Sequence, residues 1–135
     1  MVNFVIVSHS IKIAEGVVEL ASQMKVENCK IVAAGGIDDP HNPIGTDAVK
    51  IMQAIEDVAS PSGVVVLVDL GSAILSAETA LDLLDPEISE KVKICYAPLV
   101  EGTIAAVVAA SAGDSIDEVI AEANASAELK LSFTA

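Results

Sequence analysis

Val64-Val-Val-Leu-Val-Asp-Leu-Gly-Ser72 is the stretch that decides the fold. Its first five residues are all aliphatic, four of them β-branched, so no polar face is left for solvent. Such a run reads as a strand covered on both sides, as in a parallel sheet flanked by helices. The acid and the Gly-Ser that follow mark the point where strand gives way to helix. Moving outward, Val2 to Val7, Cys29 to Ala34 and Lys91 to Ala97 read as three more strands, each separated from the next by a helical pattern. The first helix carries Ile13, Val17, Leu20 and Met24 at helical spacing, which predicts a stripe packed on the sheet. A Gly-, Pro- and Asp-rich loop over 35–45 leads into a helix from about Asp47 to Ala59, with Thr46 as the expected N-cap and Ile51, Ile55 and Val58 facing inward. The helix opened by Gly71-Ser72 ends near Leu84-Asp85-Pro86, and a small-residue helix after Pro98 ends at Gly113. Ser115 and Glu118 form a capping box for a last helix with Ile116, Val119 and Ile120 as its apolar face. Periodicity fades from Asn124, so the reading is a domain over 1–125 and a loosely ordered tail over 126–135. The fold class is doubly wound α/β: a mainly parallel sheet of four to five strands in the order 2-1-3-4, helices on both faces.

The composition narrows the function. The 135 residues are 53% hydrophobic, enough for one core. Twenty acidic against seven basic residues give a net charge of −13, which repels nucleic acid and anionic membrane surfaces. Aromatics are 2% of the chain, too few for a stacking platform. The aliphatic runs are far short of the roughly 18 residues of a membrane span, and the N-terminus has no basic segment before its short apolar run, so a cytoplasmic location is expected. Cys29 and Cys95 fall on strands two and four, three spacings of ~4.8 Å apart in this order, and are expected to stay reduced. There is no Gly-x-Gly-x-x-Gly, Walker or Gly-x-Ser-x-Gly motif, so no nucleotide cofactor is expected. Asp38, Asp39, His41 and Asp47 lack ligand spacing and read as loop polarity, with no metal expected.

Ligands of doubly wound sheets sit at the carboxyl ends of the strands, where the winding reverses. Here that point lies between strands one and three. His9, flanked by Ser8 and Ser10, follows strand one, and Asp69 ends strand three. A histidine and a carboxylate thus face one another across the switch point. An imidazole held at one nitrogen by a carboxylate offers the other as a nucleophile, and attack on phosphorus suits it. The helix N-termini at Ser10 and at Gly71-Ser72 converge here, and their N–H groups can hold an anionic phosphoryl group without a lysine.

Four blocks carry a resemblance: 2–10 (VNFVIVSHS), 36–47 (GIDDPHNPIGTD), 68–80 (VDLGSAILSAETA) and 97–102 (APLVEG). Together they resemble the DhaM family, the phosphotransferase subunits of PEP-dependent dihydroxyacetone kinases, whose phosphotransferase domain is similar to the mannose-type enzyme IIA of the bacterial sugar phosphotransferase system. The resemblance implies such a domain over 1–125, with His9 and Asp69 catalytic. It implies that His9 accepts a phosphoryl group from HPr, through the ring nitrogen remote from Asp69, and passes it to ADP on the DhaL subunit. DhaL then phosphorylates dihydroxyacetone held by DhaK. Ser10, Thr46, Gly71 and Ser72 match motif positions beside the histidine and are the expected phosphoryl-binding residues. A homodimer is implied as well. Since some members carry fused HPr-like and enzyme I-like domains, a chain of this length implies that those are separate proteins. A different class also fits: an interaction module that binds a phosphorylated partner without turnover, His9 being structural. An aspartyl-phosphate receiver domain would need an acidic pair after strand one and a lysine after a late strand, and Ser8-His9-Ser10 and Ala97-Pro98 supply neither.

Overall fold

The computed structural model describes residues 1–133. Its elements are β1 (Asn3–Ser8), α1 (Ile11–Ala21), β2 (Ile31–Gly35), α2 (Ala48–Val58), β3 (Val64–Val68), α3 (Gly71–Leu83), the single turn α4 (Pro86–Ser89), β4 (Val92–Cys95), α5 (Leu99–Ser111) and α6 (Ile116–Ser132). The four strands are parallel in the order β2-β1-β3-β4, as the alternation of runs predicts. Each crossover is a helix, and the two faces of the sheet each gain a covering layer. Phe4, Ile6, Val65 and Leu67 pack toward α1, α5 and α6, meeting Val17, Val107 and Val119. Val5, Val7, Val66 and Val68 pack toward α2 and α3, meeting Ile51, Ile55, Val58 and Ala77. Each buried Val, Leu, Ile or Phe side chain in these layers contributes about 1.5–3 kcal/mol by leaving water.

Three helical readings need correction. On α1 the sheet-facing row is Ala14, Val17 and Ala21, whereas Ile13, Leu20 and Met24 are about half exposed. Small side chains let the helix axis approach the sheet closely, and the larger aliphatics are displaced to the flank. On α2 the N-cap is Asp47, not Thr46: its carboxylate accepts the N–H groups of Val49 and Lys50. On α6 the buried row is Val119, Ala123 and Ser126, with Ile116 and Ile120 half-buried at its edge.

The expected loose tail differs from the structure over 126–132, where α6 continues. Ser126 is buried and donates to the Ala123 carbonyl, and Lys130 pairs with Glu101 of α5. Small residues docking against α5 leave no large apolar stripe for a periodicity reading to find. Residues 134 and 135 of that tail lie outside the described residues. Cys29 and Cys95 are buried free thiols, and burial raises both thiol pKa values.

Candidate active site

Strand register builds the site. Val7 pairs with Val68 across β1 and β3, so one step further along each strand Ser8 and Asp69 are neighbours, and the Asp69 N–H donates to the Val7 carbonyl at 3.1 Å. His9 follows Ser8 in the turn before α1. The end of β2 closes on the same turn: a Cβ at Gly35 would lie 2.5 Å from the Ser8 carbonyl oxygen, so that position has no room for a side chain. From the other side Gly45 N–H donates to the His9 carbonyl at 2.9 Å, pinning the 36–47 loop to the histidine backbone.

Asp69 accepts four hydrogen bonds. The His9 Nδ1–H reaches Oδ1 at 3.0 Å and the Leu70 N–H reaches Oδ1 at 2.7 Å. The His9 backbone N–H and the Ser8 hydroxyl each reach Oδ2 at 2.9 Å. Burial opposes the charge and would raise the carboxyl pKa, but these four donors outweigh it and hold it below the usual carboxylate range. An ionised Asp69 fixes the proton of His9 on Nδ1, leaving the Nε2 lone pair as an acceptor. The Ser72 hydroxyl lies 2.7 Å from Nε2. The imidazole is 21% exposed, so it is neither sealed in aliphatic packing nor loose on the surface.

Ser72 belongs to the first turn of α3, whose N-terminus has no side-chain cap. The first-turn N–H groups, Gly71 included, therefore have no side-chain partner and offer positive dipole ends beside the ring. Ser10 stands in the same turn as His9, but its hydroxyl caps α1 through the Ile13 N–H. Thr46 is turned away: its hydroxyl pairs with Ser76 of α3 at 2.6 Å and ties the loop to that helix. Ser8 is the residue the motif reading passed over. It is fully buried, and its hydroxyl bridges Asp69 and the Ser10 N–H. The Asp38–His41–Asp47 cluster is otherwise engaged: Asp38 pairs with Lys50, Asp39 accepts the N–H groups of His41 and Asn42, and Asp47 caps α2. Among the described residues no group of three or more His, Cys, Asp or Glu is arranged to hold a metal ion, and no helix is long and apolar enough to cross a membrane. Leu70, Leu75 and Ile44, beside Asp69, Ser72 and Gly45, are each more than half exposed and rim the site.

Fold and site together define a doubly wound domain that presents a carboxylate-held histidine at its switch point. The chain belongs to the EIIA-man family: the family model described as the PTS system fructose IIA component matches residues 3–120. It is 62% identical over 131 residues to the PEP-dependent dihydroxyacetone kinase phosphoryl donor subunit DhaM of Escherichia coli (strain K12), covering 96% of this chain and 28% of that protein. The chain thus spans little more than a quarter of that relative's length. With the phosphoryl donor subunit DhaM of PEP-dependent dihydroxyacetone kinase 2 from Listeria innocua it shares 41% over 122 residues, covering 90% of this chain and 96% of the relative. Among solved structures, a phosphotransferase system component EIIA from Streptococcus agalactiae superposes with a TM-score of 0.68 at 16% identity, covering 96% of this chain and 95% of that one. That likeness concerns the fold alone.

Proposed function

We propose that the chain is a phosphohistidine carrier, taking a phosphoryl group from HPr onto His9 and passing it to ADP on DhaL for the phosphorylation of dihydroxyacetone held by DhaK. The observation that carries this reading is the Nδ1–Asp69 bond, which leaves Nε2 as an outward lone pair beside a serine hydroxyl and a helix N-terminus. The names of the relatives, phosphoryl donor subunits, support the same direction of transfer.

In the loading step Nε2 attacks the phosphorus of the donor's phosphohistidine in line, and the donor P–N bond breaks as the new one forms. Positive character develops on the His9 ring, and the Asp69 carboxylate 3.0 Å from Nδ1 stabilises it without taking the proton. The Ser72 hydroxyl gives up the lone pair and turns to a phosphoryl oxygen, joined by α3 N–H groups. Unloading reverses the geometry, a phosphate oxygen of ADP replacing the donor nitrogen. A cleft of about 460 Å³ beside β2, lined by Val32, Gly36, Lys50 and Gln53 among others, includes neither His9 nor Asp69. A ring at an apolar rim rather than in a cleft suits a donor that is itself a protein. The reading carries with it a homodimer, as the resemblance implies, and a cytoplasmic setting.

The test is incubation with PEP, enzyme I and HPr. Acid-labile, alkali-stable label on the wild type, lost in His9→Ala, is the expected result. An unlabelled wild type that still binds the phosphorylated partner would replace the carrier reading with that of an interaction module. Adding the kinase subunits should then yield dihydroxyacetone phosphate.

A further inference from the structure

Ser8 closes β1 with none of its surface exposed. Its hydroxyl accepts the Ser10 N–H at 3.1 Å and lies 2.9 Å from Asp69 Oδ2. An amide N–H only donates, so the hydroxyl proton is directed at the carboxylate. The other three donors to Asp69 are two backbone N–H groups and the His9 ring itself. Ser8 is therefore, among the described residues, the side chain that holds the carboxylate from outside the His9–Asp69 pair.

We propose that Ser8 is a positioning residue for transfer at His9: it locks the rotation of Asp69 to the start of α1, so that Oδ1 stays on Nδ1 and the lone pair stays on Nε2. This rests on the carrier reading. Without the hydroxyl, Oδ2 keeps one donor, the Ser10 N–H loses its partner, and the carboxylate gains freedom to rotate. Nδ1 then loses a fixed acceptor for part of the time, and the Nε2–H tautomer, which has no lone pair to attack with, gains population.

The experiment compares wild type, Ser8→Ala, Ser8→Cys and Ser8→Thr by two readouts. One is the rate of label transfer from phosphorylated HPr; the other is the ¹⁵N spectrum of the His9 ring against pH in the unphosphorylated protein. In folded Ser8→Ala, transfer should be roughly tenfold slower, the scale of one hydrogen bond to a charged group, and Nε2–H signal should appear near neutral pH. Ser8→Thr, which keeps the hydroxyl, should restore both. If threonine's methyl prevents folding, Ser8→Cys, with similar volume and a weaker donor, should fall between serine and alanine. Wild-type tautomer populations and rate in Ser8→Ala would overturn the proposal, as would equal impairment of the alanine and threonine variants. A wild type that takes no label defeats the carrier reading instead, and the ring spectra then decide whether Ser8 holds Asp69.

Discussion

At the scale of single residues the site turns on a carboxylate with four donors and no free choice of protonation. Asp69→Asn replaces one acceptor oxygen by an NH₂ that must face a donor. If it faces Nδ1, the ring moves its proton to Nε2 and loses its nucleophile. Transfer should slow on the order of a hundredfold or more with the fold retained, measured as the rate of label uptake; unchanged kinetics would reduce Asp69 to a bystander. The same carboxylate sets a pH dependence. Its folded pKa lies below the ordinary value, so its stabilising contribution is complete above about pH 4 and is lost as pH falls through the lower folded value. In urea unfolding from pH 7 downward, the stability gap between wild type and Asp69→Asn should therefore narrow only below about pH 4. The His9–Asp69 pairing was legible because strand order alone brings the ends of β1 and β3 together. Ser8 was not, since a serine at a strand end reads as turn polarity and its worth depends on a carboxylate some sixty residues away in the chain. Thr46 matched a motif position, but only packing shows its hydroxyl on Ser76.

Between elements, fit rather than helical propensity decides the outcome, and two glycines make the point. Gly16 of α1 is exposed, and a Cβ there would meet nothing within 4 Å. Gly102 of α5 is buried, and a Cβ there would sit 2.7 Å from the Ala97 Cβ, an atom with no rotamer to move aside. Gly16→Ala should therefore raise stability by about 0.5–1 kcal/mol through the lower entropy of the unfolded chain. Gly102→Ala should lower it by about 1–3 kcal/mol despite the same gain in propensity. Urea midpoints at constant slope would measure both, and equal signs would refute the contrast. Fit also explains the misread buried rows of α1 and α6. Strands and crossovers follow from β-branched runs and polar punctuation, which act locally, and the α2 cap is misread by only one residue. The buried rows of α1 and α6, built on Ala14, Ala21, Ala123 and Ser126, are chosen by how near each helix must come to its neighbour, a distance that no local pattern encodes.

For the molecule as a whole, the charge of −13 stands against the chemistry at its lip. All seven cations are lysines, and Lys50, Lys93 and Lys130 are held in ion pairs with Asp38, Asp117 and Glu101. The groups bonded to the His9–Asp69 pair are hydroxyls and N–H groups, with no lysine among them. On the carrier reading, a dianionic phosphoryl group brought beside Asp69 is stabilised by dipoles alone until a partner adds positive charge. On that reading the exposed Ile44, Leu70 and Leu75 would contact the partner, and the surrounding negative field would attract its positive charge. The two contributions separate by salt. The second-order rate of transfer from phosphorylated HPr should fall several-fold between roughly 0.05 and 0.5 M ionic strength, as the Debye length shrinks from over 10 Å to below 5 Å. The first-order hydrolysis of phosphorylated His9 should barely change over the same range. Leu70→Ala and Leu75→Ala should instead weaken transfer about equally at every salt concentration. If transfer proves insensitive to salt, the apolar rim alone selects the partner and the acidic surface serves only solubility.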